Sequence, residues 1–259
     1  MSKSLHVSCI QTDLAWENID QNLKHFERKL DLLPAQSELV ILPEMFTTGF
    51  SMNSTRLAEE MNGKSVQWMK EQAAARNKIL LGSLIVKEKG KYYNRCIVMY
   101  PGSEFHTYDK GHLFRMEKEN KDYTKGESKI IFKHNDWRIC PLICYDLRFP
   151  VWSRNQGDYD LLIYIASWPE PRREVWNTLL KARAIENQVY VIGVNRIGKD
   201  GEGISYSGDT VIINPKGQIM QKAEDYKDQI LNEELSLDEL NRFREKFPVF
   251  LDADDFKLL

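Results

Sequence analysis

The stretch Ile139 to Pro150, reading ICPLICYDLRFP, constrains the fold of this chain more than any other. Its apolar run from Ile139 to Ile143 predicts a buried strand, which ends abruptly at Cys144, Tyr145 and Asp146. In α/β folds, strand ends carry the chemistry, because loops converge there over a rigid sheet. A cysteine at a strand-to-helix turn meets free N–H groups and the positive end of a helix dipole, both of which favour the thiolate. Cys144 therefore reads either as a nucleophile or as a small buried hydrophobe, the usual fate of a free cysteine.

With 259 residues, 42% of them hydrophobic and 29% charged, the chain can bury one large core, and we read it as a single domain over 1–259. Its 36 basic and 38 acidic residues are scattered without long blocks and give a net charge of −2. Such a surface points away from nucleic acid and from an anionic membrane, and toward a small molecule or another protein chain as partner. The four cysteines, Cys9, Cys96, Cys140 and Cys144, sit in apolar contexts and do not resemble a disulfide framework. No stretch reaches about 18 consecutive apolar residues, and MSKSLHVSCIQTDLAW lacks the pattern of a secretory leader. A cytoplasmic protein is expected.

Leu5–Gln11 reads as a first strand and Glu17–Leu33 as an amphipathic helix, with Ile19, Leu23, Phe26, Leu30 and Leu33 at spacings of three and four. Leu39–Leu42 is apolar on both faces and belongs inside a covered sheet. A loop over Thr47–Asn53 and a helix over Ser65–Asn77 follow. Ile79–Val86, Tyr92–Tyr100 and Phe105–Asp109 form a meander, and Asp109–Glu127 is a long loop with short helical pieces. Beyond the central strand come a strand at Leu161–Ala166, a helix at Arg172–Gln188, and strands at Val189–Asn195, Thr210–Asn214 and Gln218–Gln221. Ser236 and Glu239 then form a capping-box pattern opening a helix to Lys246. The tail 247–259 mixes aromatics with acids and is expected to dock on the body or on a partner. Strands interleaved with helices predict two packed sheets with helices outside.

Three of these strand ends carry different reactive groups: Glu44 after Pro43, Lys110 after Asp109, and Cys144 after Ile143. A cysteine nucleophile needs a base for its proton and donors for an oxyanion. A carboxylate in apolar surroundings makes a good base, while a lysine beside it is better suited to steadying negative charge. Taken alone, each of these side chains also reads as an ordinary solvated charge.

The segments LPEMFTTGF, YDKGHLF and ICYDLRFP resemble the Glu, Lys and Cys motifs of the nitrilase superfamily of carbon-nitrogen hydrolases, in that family's order. ARAIENQVYV and GDTVIINPKGQI are similar to its C-terminal half, so the resemblance spans nearly the whole chain. It implies an α/β fold, a four-layer αββα sandwich of two mixed sheets with helices outside. It also implies a homodimer, no metal or organic cofactor, and a thioester at Cys144, with Glu44 as general base. Lys110 and the main-chain N–H of Tyr145 would hold the oxyanion. A second family glutamate maps onto Glu119, seven residues before Gly126, and would orient Lys110 or the leaving ammonia.

SWPEPR and VWNTLLKARAIENQ are similar to the omega-amidase branch, which hydrolyses the terminal amide of 2-oxo acids such as 2-oxoglutaramate. Arg172 or Arg173 would then pair with the substrate carboxylate, and Trp168 with Phe114 or Phe46 would wall its methylene chain. The alternatives are an N-carbamoyl amidohydrolase, a nitrilase, or a non-catalytic binding protein on the same fold. Among the five histidines only His112 lies in a motif-like context, so a papain-like pairing lacks a partner. Joint metal ligation by Cys140, Cys144 and His134 fails if the strand holds, because positions i and i+4 of a strand are about 13 Å apart. The glycines of GEGISYSG lack the strand-to-helix setting of a phosphate loop.

Overall fold

In the computed structural model, which describes residues 3–254 and 257, the apolar runs become strands and the amphipathic ones helices. The chain begins β1 (Ser4–Gln11), α1 (Ile19–Leu30), β2 (Leu39–Ile41), α2 (Ser54–Leu57) and α3 (Lys64–Arg76). It continues through β3 (Ile79–Glu88), β4 (Lys91–Met99), β5 (Phe105–Asp109), α4 (Glu119–Asp122), β6 (Phe132–His134), β7 (Trp137–Ile143) and α5 (Pro150–Ser153). The last part comprises β8 (Leu161–Ala166), α6 (Arg173–Asn187), β9 (Tyr190–Asn195), β10 (Ile197–Lys199), β11 (Ser205–Ser207), β12 (Val211–Ile213), β13 (Ile219–Lys222), β14 (Gln229–Ser236) and α7 (Leu237–Lys246).

Two six-stranded sheets result, ordered β14-β1-β2-β3-β4-β5 and β6-β7-β8-β9-β12-β13, with β10 and β11 as a separate hairpin. Read in those directions, both sheets run antiparallel, parallel, parallel, antiparallel, antiparallel. Each parallel step falls where a helix, a loop or both intervene, as right-handed crossovers require.

Alternation along the strands sets the layers. In β2, Leu39 and Ile41 point into the core shared with the second sheet, where they join Ile139, Leu161 and Ile163. Val40 and Leu42 point the other way, into a cluster with Leu23, Phe26 and Leu30 of α1 and Val66, Met69 and Ala73 of α3. On the far side, Trp176, Leu180 and Ala184 of α6 cover the second sheet. A side chain at Gly193 would put its Cβ 2.5 Å from Leu180, so glycine is what lets α6 lie this close to β9. The order of layers is thus helix, sheet, sheet, helix: a four-layer αββα sandwich.

Several elements differ from the sequence expectation for identifiable reasons. α1 starts two residues later than Glu17, because Asn18 caps it by accepting from the Gln21 N–H. It stops before Leu33, which precedes Pro34. The strands β6, β10, β11 and β14 went unpredicted. β14 is a polar edge strand that buries only Leu231 and Leu235, so its sequence lacks an apolar run. Of the tail, Phe247 is held through its carbonyl by the Gln188 amide at 2.8 Å, and a short 3-10 turn spans Val249–Asp252 with Phe250 and Leu251 exposed. The rest of the expected docking segment, residues 255, 256, 258 and 259, lies outside the described residues.

Phe26 is fully buried, edge-on to Phe46 at 5.2 Å. Phe26→Ala is expected to cost about 3–5 kcal/mol in urea unfolding, with an unchanged m-value. A loss below about 1 kcal/mol would show that the helix layer closes over the hole.

Candidate active site

Cys144 is the first residue after β7 and opens a 3-10 turn over Cys144–Arg148. Its φ of +43° lies in the left-handed region, which costs a side-chain-bearing residue about 1–3 kcal/mol. The buried Asp146 carboxylate helps to hold the turn by accepting from the Ile143 N–H at 3.0 Å. The thiol lies 3.9 Å from the Ser167 carbonyl, to which it donates, at the end of β8.

Glu44 follows β2 and is fully buried. Its Oε1 accepts from Asn94 Nδ2 at 2.8 Å and from Lys110 Nζ at 2.9 Å, and its Oε2 accepts from the Ser167 N–H at 2.8 Å. Lys110 follows β5, and the chain returns beside it where the Gly126 N–H donates to the Lys110 carbonyl at 2.8 Å. A Cβ at Gly126 would lie 2.1 Å from the Asp109 carbonyl oxygen, so only glycine fits that return. Glu119, the first residue of α4, accepts from Lys110 Nζ with both oxygens at 3.0 Å, and its Oε2 also accepts from the Phe114 N–H at 2.5 Å.

Two carboxylates thus flank one ammonium with no solvent between them. Burial works against charge on Lys110, but Glu119 and then Glu44 outweigh it and hold its pKa above the ordinary lysine value. Burial pushes the Glu119 carboxyl up despite the neighbouring ammonium, and repulsion from Glu44 adds to the rise. Burial and the charge of Glu44 also push the Cys144 thiol well above its ordinary value, with Lys110 opposing. The resting Cys144 side chain is therefore a protonated thiol.

Cys144 and Lys110 open into a narrow cavity, with Glu44 and Glu119 buried behind them. Of the residues expected in its wall, Trp168, Phe114, Tyr145 and Arg172 line it, joined by Phe50 and Tyr206. The Arg172 guanidinium lies 5.1 Å over the Phe114 ring, and that of Arg148, also in the wall, 5.3 Å over Trp168. Two expectations need correction. Phe46 is not in the wall: the turn after β2 sends it to the helix layer, against Phe26 and Trp68. Arg173 turns from the cavity to Asp209, which it grips with two hydrogen bonds of 2.7 and 3.1 Å, and to Asp225 at 2.7 Å. His112 stacks on Phe149 at 3.7 Å and bonds Asp146, while His134 pairs with Glu38.

Sequence reasoning passed over Asn94, Arg148 and Asn195. Asn195 fixes the Trp168 backbone, accepting from its N–H at 2.7 Å and donating to its carbonyl at 3.0 Å. Asn195 carried a usable signal: it is an uncharged polar residue closing an otherwise apolar strand, so it must find buried partners, whereas Asn94 stands beside Arg95 in a mixed strand.

Residues 6–245 match the model of the Carbon-nitrogen hydrolase family. The chain is similar to the omega-amidase YafV of Escherichia coli K12, at 44% identity covering 98% of each protein. It is also similar to the 2-oxoglutaramate amidase of Bacillus subtilis, at 33% identity over 95% of this chain and 96% of that one. Its fold superposes on that of a CN-hydrolase superfamily protein of Xanthomonas campestris, solved with an arsenic adduct in its active site, with a TM-score of 0.97 and 38% identity over the whole of both chains. A family match that runs from within β1 to nearly the end of α7, and takes in every strand end described above, establishes that the chain belongs to the carbon-nitrogen hydrolase family.

Proposed function

We propose that this protein is an omega-amidase, which releases ammonia from the terminal amide of a small 2-oxo dicarboxylic acid monoamide such as 2-oxoglutaramate. One arrangement carries the reading: the Cys144 thiol and the Lys110 ammonium, the latter bonded to the Glu44 carboxylate behind them, line a cavity together with two guanidiniums that form no salt bridge among the described residues. A substrate charged at one end and amidated at the other fits that polarity, with Arg172 or Arg148 pairing with its carboxylate. The relatives named above act on substrates of this kind by their names.

In this mechanism Cys144 Sγ attacks the amide carbon while its proton passes to Glu44. The oxyanion is held by Lys110 Nζ and the Tyr145 main-chain N–H, which lies in the first turn where no intrahelical acceptor exists. Glu44 then hands the proton to the amide nitrogen, the carbon-nitrogen bond breaks, and ammonia leaves a thioester. Water, giving a proton to Glu44, attacks the thioester. The carbon-sulfur bond breaks, and the proton returns to the thiol. Glu119 keeps Lys110 charged and aimed throughout. The protein acts as a homodimer in the cytoplasm on this reading, and sedimentation as a monomer only would count against the first part.

An ammonia-release screen over 2-oxo acid amides, dicarboxylic monoamides, N-carbamoyl compounds and nitriles tests the substrate class. Preference for five-carbon 2-oxo amides supports the reading, and preference for carbamoyl compounds or nitriles moves the activity elsewhere in the family. Cys144→Ala should abolish turnover with the fold retained by circular dichroism. Glu44→Gln should lower kcat by at least about a hundredfold. Because Glu44 helps hold the thiol protonated, the same variant should shift iodoacetamide alkylation of Cys144 to lower pH; a profile moved upward would remove Glu44 from its role. Arg172→Gln should raise KM for the charged substrate by about 10–150-fold and leave an uncharged amide nearly unaffected.

A further inference from the structure

We infer that Asp146 is a positioning residue for this hydrolysis: its one carboxylate clamps the strand end bearing Cys144 to the segment bearing Lys110. Asp146 touches no part of the cavity and is fully buried, yet four donors converge on it. Oδ2 accepts from the Ile143 N–H at 3.0 Å and the Tyr108 hydroxyl at 2.7 Å. Oδ1 accepts from the His112 N–H at 2.9 Å and from His112 Nδ1 at 2.8 Å. Ile143 immediately precedes the nucleophile, while Tyr108 and His112 bracket Lys110.

The donor count decides which side chain can serve here. Main-chain N–H groups only donate. The Tyr108 oxygen already accepts from the Gly111 N–H and from Trp152 Nε1, both at 3.0 Å, so its own proton is left for Asp146. The ring of His112, set against Phe149, must then carry its proton on Nδ1. Each carboxylate oxygen therefore faces two donors, and an amide of the same shape would turn an N–H group against donors whichever way it flipped. A carboxylate is the side chain of this size that accepts from all four. The same contact to Ile143 is the N3-to-cap half of a capping box, and it fixes the turn that keeps Cys144 at positive φ.

The inference rests on the proposed amidase reading, so its test has one arm that needs turnover and one that does not. In purified Asp146→Asn, kcat for the amide that the parent hydrolyses best should fall by about a hundredfold, as small misplacements of reacting groups do, with KM within about threefold of the parent. A kcat per folded molecule within about threefold of the parent would overturn the inference and leave Asp146 a purely structural residue. In a crystal structure of the same variant, Cys144 should leave the positive-φ region or the 108–112 segment should shift by about 1 Å; parental geometry in both would overturn it, even if the parent proves inactive on amides. Should Asp146→Asn fail to fold, Tyr108→Phe removes one of the four donors at constant ring shape. That variant is expected to lose about tenfold in kcat with KM unchanged, and full activity in it would overturn the clamp.

Discussion

The ammonium of Lys110, held between the carboxylates of Glu44 and Glu119 without solvent, is the interaction on which the rest of the site depends. Withdrawing an ion from water costs several kcal/mol, and only close opposite charge with further hydrogen bonds offsets it. Asn94 and the N–H groups of Ser167 and Phe114 supply those further bonds to the carboxylates. The cluster is therefore held by many buried bonds, while the Asn94 Oδ1 beside it has no hydrogen-bond partner among the described residues. Burial, with the charge of Glu44 added, keeps the neighbouring thiol protonated.

That cluster is assembled from loops, and the sandwich is what makes loops precise. Glu44, Cys144 and Ser167 stand just beyond β2, β7 and β8; β2 and β8 lie between two parallel neighbours each, and β7 has β8 as its parallel neighbour. The two sheets repeat one pairing pattern and face each other across a single apolar interior. Strand ends from both sheets then emerge together, and a glutamate from one sheet reaches a cysteine from the other. Gly126 and Gly193 mark where this closeness leaves no room for a β-carbon.

The sequence was most legible where chemistry and local pattern coincide. Glu44 and Cys144 were visible because each follows an apolar run, and a run that stops abruptly marks the edge of a buried sheet; Lys110 follows the mixed strand FHTYD and stood out only by its place at a strand end. Glu119 was harder, since nothing local separates it from the charges around it; only its spacing from Gly126 within a family pattern did so. Direction was not legible at all. Phe46 and Phe114 look equivalent as sequence, yet one turn sends the first into the helix layer while the second borders the cavity. Arg172 and Arg173 are neighbours at the start of α6, and successive helical positions point about 100° apart. Asp209, far along the chain, decides that Arg173 is the one neutralised. β14 stayed hidden because an edge strand needs few apolar residues, and its pairing with β1 is a fact about two ends of the chain.

That pairing reaches from Ser4 opposite Ser236 to Gln11 opposite Gln229, so the first strand made is completed by nearly the last. During synthesis the outer edge of β1 has no natural neighbour until most of the chain has left the ribosome. At about 5–20 residues per second, the interval lasts on the order of ten seconds or more. An unpaired strand edge in that interval is a template for another nascent chain. The hydrophilic residues of β14 suit the same episode from the other side, since the late-arriving partner can wait in water without aggregating.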